Sequence, residues 1–449
     1  MSVADLTARR LHALLATDQV TGRLPSVVGG VVRDGALVWT GSHGTVTGGA
    51  QAPGPDLQYR IGSITKTMVA VVVLQLRDQG RLDLNDRLDQ HLPGVTYGDR
   101  SIRSLLSHSS GMHSEPAGEW WERSPGVTFE QLATRLADVP APFAPGTTFH
   151  YTNVAFALLG EVVARLTGMT WFEAVRERVL APLDMRRTTY LPVPPAAQGF
   201  SVHPFAGTLT EEPAHDAGAM APAGQVWSTV GDLARYVGFL AGGREGVLSA
   251  ATMHELATPQ SGSYAGGLNG AYGLGFRLAA GGSGVLVGHT GSMPGFLAGL
   301  FADPVRRTGV VLLANGTGGL RCEGLCIDLL RTLETSEPTV PKAWTPTDRV
   351  PAGVAELLGI WHWGNTGYQF GWRDGELVMR SLANGLDAQA FRLGDDGVLV
   401  GTRGYHHGER LEVVRAADGS LSHLVCATFV YTRTPYDPAV PVPGGHPSG

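Results

Sequence analysis

Hydrophobic positions along this chain change period in blocks, and the blocks outline its architecture. Residues 1–22 place apolar side chains at helical spacing among charged ones and predict an amphipathic helix. Ser26–Thr47 switches to extended apolar segments on either side of Asp34-Gly35, the pattern of a hairpin. A long middle stretch returns to helical spacing. It predicts helices over Ser63–Gln79 (ending at Gly80), Ile102–Ser107, Phe129–Ala137, Val154–Leu166 (ending at Gly168), Trp171–Leu180 and Asp232–Leu240. From Tyr272 to Asn315 the segments YGLGFRLA, GVLVGHTG, FLAGLFAD and GVVLLAN read as strands, and Glu323–Leu333 as a closing helix. Strands at both ends of a helical middle describe an α+β domain, its sheet assembled from both ends of the segment.

Thr335–Pro351 is rich in proline and poor in apolar side chains, as a linker is. Beyond it, short strands punctuated by Asp-Gly turns predict a small antiparallel barrel or sandwich. The expected organisation is therefore a domain over 1–335, a linker over 336–351, a β-domain over 352–437 and a flexible tail over 438–449. The formal net charge of -6, without a Lys/Arg run, leaves no footprint for nucleic acid. The N-terminal segment lacks the features of a signal peptide, and the longest apolar run, Met68–Leu74, is too short to span a bilayer. A cytoplasmic protein without a membrane partner is expected. Three cysteines, Cys322, Cys326 and Cys426, are too few for a disulfide framework and read as free thiols. No metal or cofactor site is expected; His406 and His407 read as an exposed hairpin pair, and His108 and His113 as loop-structuring residues.

The candidate chemistry starts from an imbalance: of 34 Lys and Arg residues only two are lysines, Lys66 and Lys342. Arg stays protonated in proteins, whereas a desolvated Lys can become neutral and act as a base. Ser63 precedes Lys66 by three residues and shares its helix face, so the pair suggests an activated nucleophile. Ser63 also opens an apolar helix, whose unpaired N–H groups can stabilise a developing oxyanion. Tyr151-Thr152-Asn153 stands before another helix; a phenol can relay a proton and an amide can hold a lysine amine. His289-Thr290-Gly291 ends a strand, where Gly291, with Thr290 a substrate-binding candidate, would let a substrate backbone approach closely and the Ser292 N–H offers a second oxyanion donor.

Together, Ser63-x-x-Lys66, Tyr151-x-Asn153 and His289-Thr290-Gly291 resemble the three motifs of the penicillin-binding-protein and class C β-lactamase superfamily. The resemblance covers about residues 8–335 and extends to LLSHSSGM, FAPGTTFHYTNVAFALLGEVV and STVGDLARYVGFL. It implies a β-lactamase-like domain, an antiparallel sheet flanked by helices with a helical subdomain. It also implies catalysis by Ser63, Lys66, Tyr151, Asn153 and His289, with an oxyanion hole from the Ser63 and Ser292 N–H groups. The third motif usually begins with Lys; His289 in its place fits a hydrogen-bond or relay partner of Tyr151 better than a carboxylate binder.

Within the superfamily the chain is similar to penicillin-binding-protein-type thioesterases, which append a lipocalin-like β-domain. That resemblance implies release and head-to-tail cyclisation of a nonribosomal peptidyl thioester with a D-residue at the acyl end, presented by a carrier protein of a peptide synthetase. A hydrolytic esterase or D-stereospecific peptidase, an intermolecular amide-forming transacylase and a non-catalytic ligand-binding sensor are the alternatives. Trp227 is a candidate pocket residue, and Arg433 a candidate β-domain residue reaching toward the cleft.

Overall fold

The computed structural model describes residues 2–46, 52–137, 139–263, 270–282, 284–341, 343–437 and 439. It divides into two compact units, Met1–Thr339 and Val340–Gly449. Lys342 and the expected tail, Ala439 excepted, lie outside the described residues.

In the first unit, helix α1 (Asp5–Gly22) precedes the hairpin of β1 (Ser26–Arg33) and β2 (Ala36–Gly44). Asp34 and Gly35 turn it with φ of 49° and 76°, the doubly left-handed turn that matches strand twist. The short strand β3 (Tyr59–Arg60) leads into α2 (Ile64–Asp78). There follow α3 (Ile102–Leu106), α4 (Phe129–Leu136), α5 (Asn153–Thr167), β4 (Trp227–Ser228) and α6 (Val230–Gly242). Strands β5 (Gly270–Tyr272), β6 (Arg277–Ala280), β7 (Val285–Met293), β8 (Phe296–Asp303) and β9 (Thr308–Ala314) and helix α7 (Cys322–Ser336) complete the unit.

Seven strands form one antiparallel sheet in the order β2-β1-β9-β8-β7-β6-β5, so the first hairpin joins the C-terminal strands through β1 and β9. Both faces are covered. Val27 and Val31 pack with Leu11 and Leu15 of α1 and Leu325 and Leu329 of α7. Val28 and Val32 point the other way, into the cluster that holds α2, α5 and α6. Alternation with apolar residues on both sides is why β1 reads as a nearly unbroken hydrophobic run. Helix α2 is buried all round from Ile64 to Leu76. Burying Met68–Leu74 contributes on the order of 10 kcal/mol before the entropy of ordering the helix is counted.

Three expectations change here. YGLGFRLA, read as one strand, is two, because Gly275 takes φ 86° and the turn donates Gly275 N to Leu106 O at 2.9 Å. Trp171–Leu180, read as one helix, is helical to Val175 and then widens to a π-type turn over Arg176–Leu180. There the Gln75 amide donates to the Arg178 carbonyl and draws it out of the helical ladder. Glu337, expected in the linker, belongs to the first unit and accepts from Ala4 N and Arg33. Among the described residues no single helix is long and apolar enough to cross a membrane.

The second unit is a meander of eight antiparallel strands, β10 (Gly359–Trp363) through β17 (Phe429–Tyr431), paired in chain order. Mutual His362 and Thr432 backbone bonds of 2.8 and 2.9 Å bring its ends together into a nearly closed barrel. Trp361, Phe370, Leu377, Phe391 and Leu424 fill the interior. His406 is a correction: it is buried, only His407 is exposed, and His406 packs on Phe429 at 4.9 Å with Nε2 3.0 Å from the Tyr431 hydroxyl.

Candidate active site

The turn Ile61–Ser63 brings the chain from β3 into α2 against the end of β7. Gly62 has φ 52°, and a Cβ there would run into the Ser292 backbone nitrogen. A Cβ on Gly291 would run into the Ile61 carbonyl. Two side-chain-free positions thus let the Ser63 and Ser292 backbones lie together, as two donors to one oxyanion require. Ser63 caps α2 and is half-buried.

One helical turn on, the Lys66 amine donates to Ser63 Oγ at 2.8 Å and to the Ala223 carbonyl at 2.6 Å. Burial pushes its pKa down to about 7, against the pull of Glu115 and Glu122. A lysine that is neutral near pH 7 and bonded to a serine hydroxyl can accept that hydroxyl's proton. Tyr151 lies with its ring 5.1 Å from the amine. Burial raises its pKa, Ser63 lowers it, and its hydroxyl is buried without a well-aligned partner. The phenol therefore stays protonated and can pass a proton but not act as the resting base.

Asn153 sits at the start of α5, but its amide donates to Glu115 at 2.6 Å. It does not hold the lysine; the Ala223 carbonyl does. Glu115 also accepts from the Trp121 indole at 2.7 Å, and burial raises its pKa. His289 is likewise bonded elsewhere than expected: Nε2 is 2.8 Å from the Tyr272 hydroxyl and Nδ1 meets the Thr290 carbonyl, while the Tyr151 ring is 6.1 Å away. Burial, then Lys66, push its pKa down to about 3.

Two further side chains complete the cluster. His108, taken from the sequence for a loop residue, is fully buried at φ 55°, with its ring 4.1 Å from Tyr151 and 4.5 Å from Tyr272. Its Nδ1 accepts from Thr152 N at 3.1 Å, so its proton is on Nε2. Tyr272 is buried beside it. Tyr272 reaches the cluster through the turn at Gly275, whereas His108 is tied to the Tyr151 segment directly, its carbonyl accepting from His150 N at 2.8 Å.

Trp227 is buried on β4 opposite Arg60 and meets Phe296 edge to face at 5.0 Å. It lines a cleft of about 680 Å³ with Leu57, Pro192, Pro194 and Pro195, a lining that does not include Ser63. Arg433 is engaged within the second unit. Its guanidinium donates to the Glu356, Leu358 and Ile360 carbonyls and lies 4.0 Å over Trp361.

Residues 350–433 match a domain of unknown function, DUF7586. The D-alanyl-D-alanine-carboxypeptidase/endopeptidase AmpH of Escherichia coli is 32% identical over 216 residues, 46% of this chain and 55% of AmpH. The chain spans about half the length of the first curated relatives it matches. Among solved structures, a D-stereospecific amidohydrolase from Streptomyces sp. superposes with a TM-score of 0.61 at 26% identity, covering 74% of this chain and 99% of its own. SurE superposes with a TM-score of 0.62 at 25% identity, covering 96% of this chain and 99% of SurE. Residues 8–331 match the Beta-lactamase family, and the chain belongs to it, within the β-lactamase and penicillin-binding-protein superfamily of serine hydrolases and acyltransferases.

Proposed function

We propose that this protein releases a peptidyl chain from a carrier-bound thioester and closes it head to tail, through an acyl-enzyme on Ser63. The observation that carries the acyl-enzyme is the 2.8 Å contact between Ser63 and a buried Lys66 with a pKa of about 7. The macrocyclic outcome draws its support from the three motifs, from the appended β-barrel and from the match to SurE along both domains.

In the proposed sequence, neutral Lys66 takes the Ser63 proton and Oγ attacks the thioester carbonyl. The oxyanion lies between the Ser63 and Ser292 N–H groups. The intermediate collapses, the C–S bond breaks, and the Lys66 proton reaches the departing sulfur through the Tyr151 hydroxyl. The peptide's own terminal amine then attacks the acyl-serine, Lys66 takes its proton, and Ser63 Oγ leaves reprotonated. Thiol and cyclic amide are the products, with no water consumed. A carrier protein as partner and a cytoplasmic setting belong to the same proposal.

The test is a linear peptidyl thioester with a D-configured acyl end. A product equal to the substrate minus thiol supports cyclisation; the linear acid as main product overturns it. A second reading, a D-stereospecific amidase, draws on the similarity to the Streptomyces amidohydrolase. It predicts rapid turnover of chromogenic D-amino-acid amides.

A further inference from the structure

We propose that Tyr272 is a positioning residue: it locks His289 as a neutral hydrogen-bond acceptor, and the lock makes the site reject acyl donors with a carboxylate beside the scissile carbonyl. This rests on Ser63 being the acylated residue but not on the fate of the acyl group.

The Thr290 carbonyl fixes the tautomer of His289. A carbonyl only accepts, so the His289 Nδ1 that meets it carries the proton. In a neutral ring Nε2 then holds only a lone pair, and the Tyr272 hydroxyl, 2.8 Å away, donates into it. Both nitrogens are occupied within the protein. His289 has no free N–H and no charge to offer an anion, although it begins the motif where a cationic lysine usually stands.

Tyr272 is itself fixed. Its backbone N donates to the Ser261 carbonyl at 2.7 Å and its carbonyl accepts from Ser261 N at 3.1 Å. The turn after it is tied to Leu106, and its ring is enclosed by His108 at 4.5 Å, Phe149 at 5.9 Å and Tyr151 at 6.4 Å. The charged and titratable groups around His289 reinforce the neutral state. Lys66 comes from α2, Arg277 from β6, Tyr151 from the segment before α5 and His108 from the loop after α3. Glu323 of α7 is paired with Arg277, and the β8 residue opposite His289 is Leu300. No carboxylate among them favours a charged ring.

The experiment compares the full chain with Tyr272→Phe. Two probes are used: an activated ester of a neutral acid, and benzylpenicillin, whose carboxylate flanks the reacting carbonyl. The wild type is expected to be labelled on Ser63 by the ester and not by benzylpenicillin, with one ionisation in its pH profile. In Tyr272→Phe, Nε2 is released. A second ionisation is expected below pH 6.5, and the rate ratio of benzylpenicillin to ester should rise at least tenfold at pH 5. An unchanged ratio and profile overturn the proposal. ¹⁵N NMR of histidine-labelled wild type, assigned with His289→Gln, should show the Nδ1–H tautomer from pH 5 to 8. An Nε2–H or doubly protonated ring overturns the lock even where Tyr272→Phe fails to fold. Failure of the ester to label wild-type Ser63 counts against the acyl-enzyme instead, and the tautomer still decides the lock.

Discussion

Tyr272 meets His289 at 2.8 Å in the first domain, and Tyr431 meets His406 at 3.0 Å in the second. Both pairs are buried tyrosine hydroxyls against histidine Nε2, yet their surroundings differ in sign. His289 has its second nitrogen on a carbonyl and cations, Lys66 and Arg277, opposing its protonation. His406 leaves Nδ1 without a partner and has Glu409 favouring its charged form, which only partly counters burial. One tautomer is determined and the other is not. The same pair of residue types is a fixed part of a polar cluster in one place and a polar patch in a barrel core in the other. The surrounding charge, not the pair, makes the difference.

Removing the charge is the strongest way to break that contrast. Lys66→Ala should slow Ser63 labelling by an activated ester about 10²–10⁴-fold, the usual contribution of a positioned base, while Tyr431→Phe should leave labelling within about twofold. In the wild type, labelling should rise about tenfold per pH unit below pH 7 and level off above it, because only the neutral amine accepts the proton. A midpoint near the ordinary lysine value would sink the assignment of Lys66 as base.

The same lysine should be visible in stability. In the unfolded chain it holds its proton to about pH 10.5; in the folded chain it releases it near 7. Between those values the unfolded state binds more protons, so stability rises with pH, by up to about 1.4 kcal/mol per unit. Urea unfolding from pH 7.5 to 9.5 should show this slope in the wild type and lose it in Lys66→Met. Persistence of the slope in the variant would trace it to another group. A smaller loss is expected for His108→Phe, which keeps a ring beside Tyr151 but strands the Thr152 N–H. The first domain should lose about 1–3 kcal/mol in urea unfolding. Labelling should slow by about tenfold with unchanged half-saturation if the loss falls on Tyr151.

How far the sequence reaches follows from the range of each interaction. Ser63 and Lys66 are legible because three residues of helix bring them together. Tyr151, Asn153 and His289 are legible as motif positions, but their partners are not. Glu115, which takes the Asn153 amide, arrives from a loop 38 residues away, and Tyr272 reaches His289 through a strand break that depends on Gly275 docking on Leu106. The hairpin, a sheet drawn from both ends of the first domain and a run of short antiparallel strands in the second follow from period and turn chemistry; the break at Gly275 that makes the sheet seven-stranded does not. The burial of His406 does not, because a His-His pair beside Gly404 and Gly408 looks like any solvated turn until the barrel closes over it.

The smallest effect sharpens the comparison from the barrel side. His406 has a depressed pKa, so it is neutral in the folded chain at pH values where the unfolded chain binds a proton. Between those two values the unfolded state holds more protons, and His406 makes stability rise with pH until the ordinary imidazole pKa is passed. Tyr431→Phe removes the hydroxyl that meets Nε2, while Glu409 remains to favour the cation. The ring can then answer by binding a proton, more readily than His289 would on losing Tyr272, because Lys66 and Arg277 oppose a charge there. The expected result is a loss below about 1 kcal/mol at pH 7. The barrel's urea midpoint should also depend less on pH between 5 and 7. A steeper dependence in the variant would mean that the tyrosine had been accepting from a protonated His406, and the two pairs would then differ in direction as well as in charge.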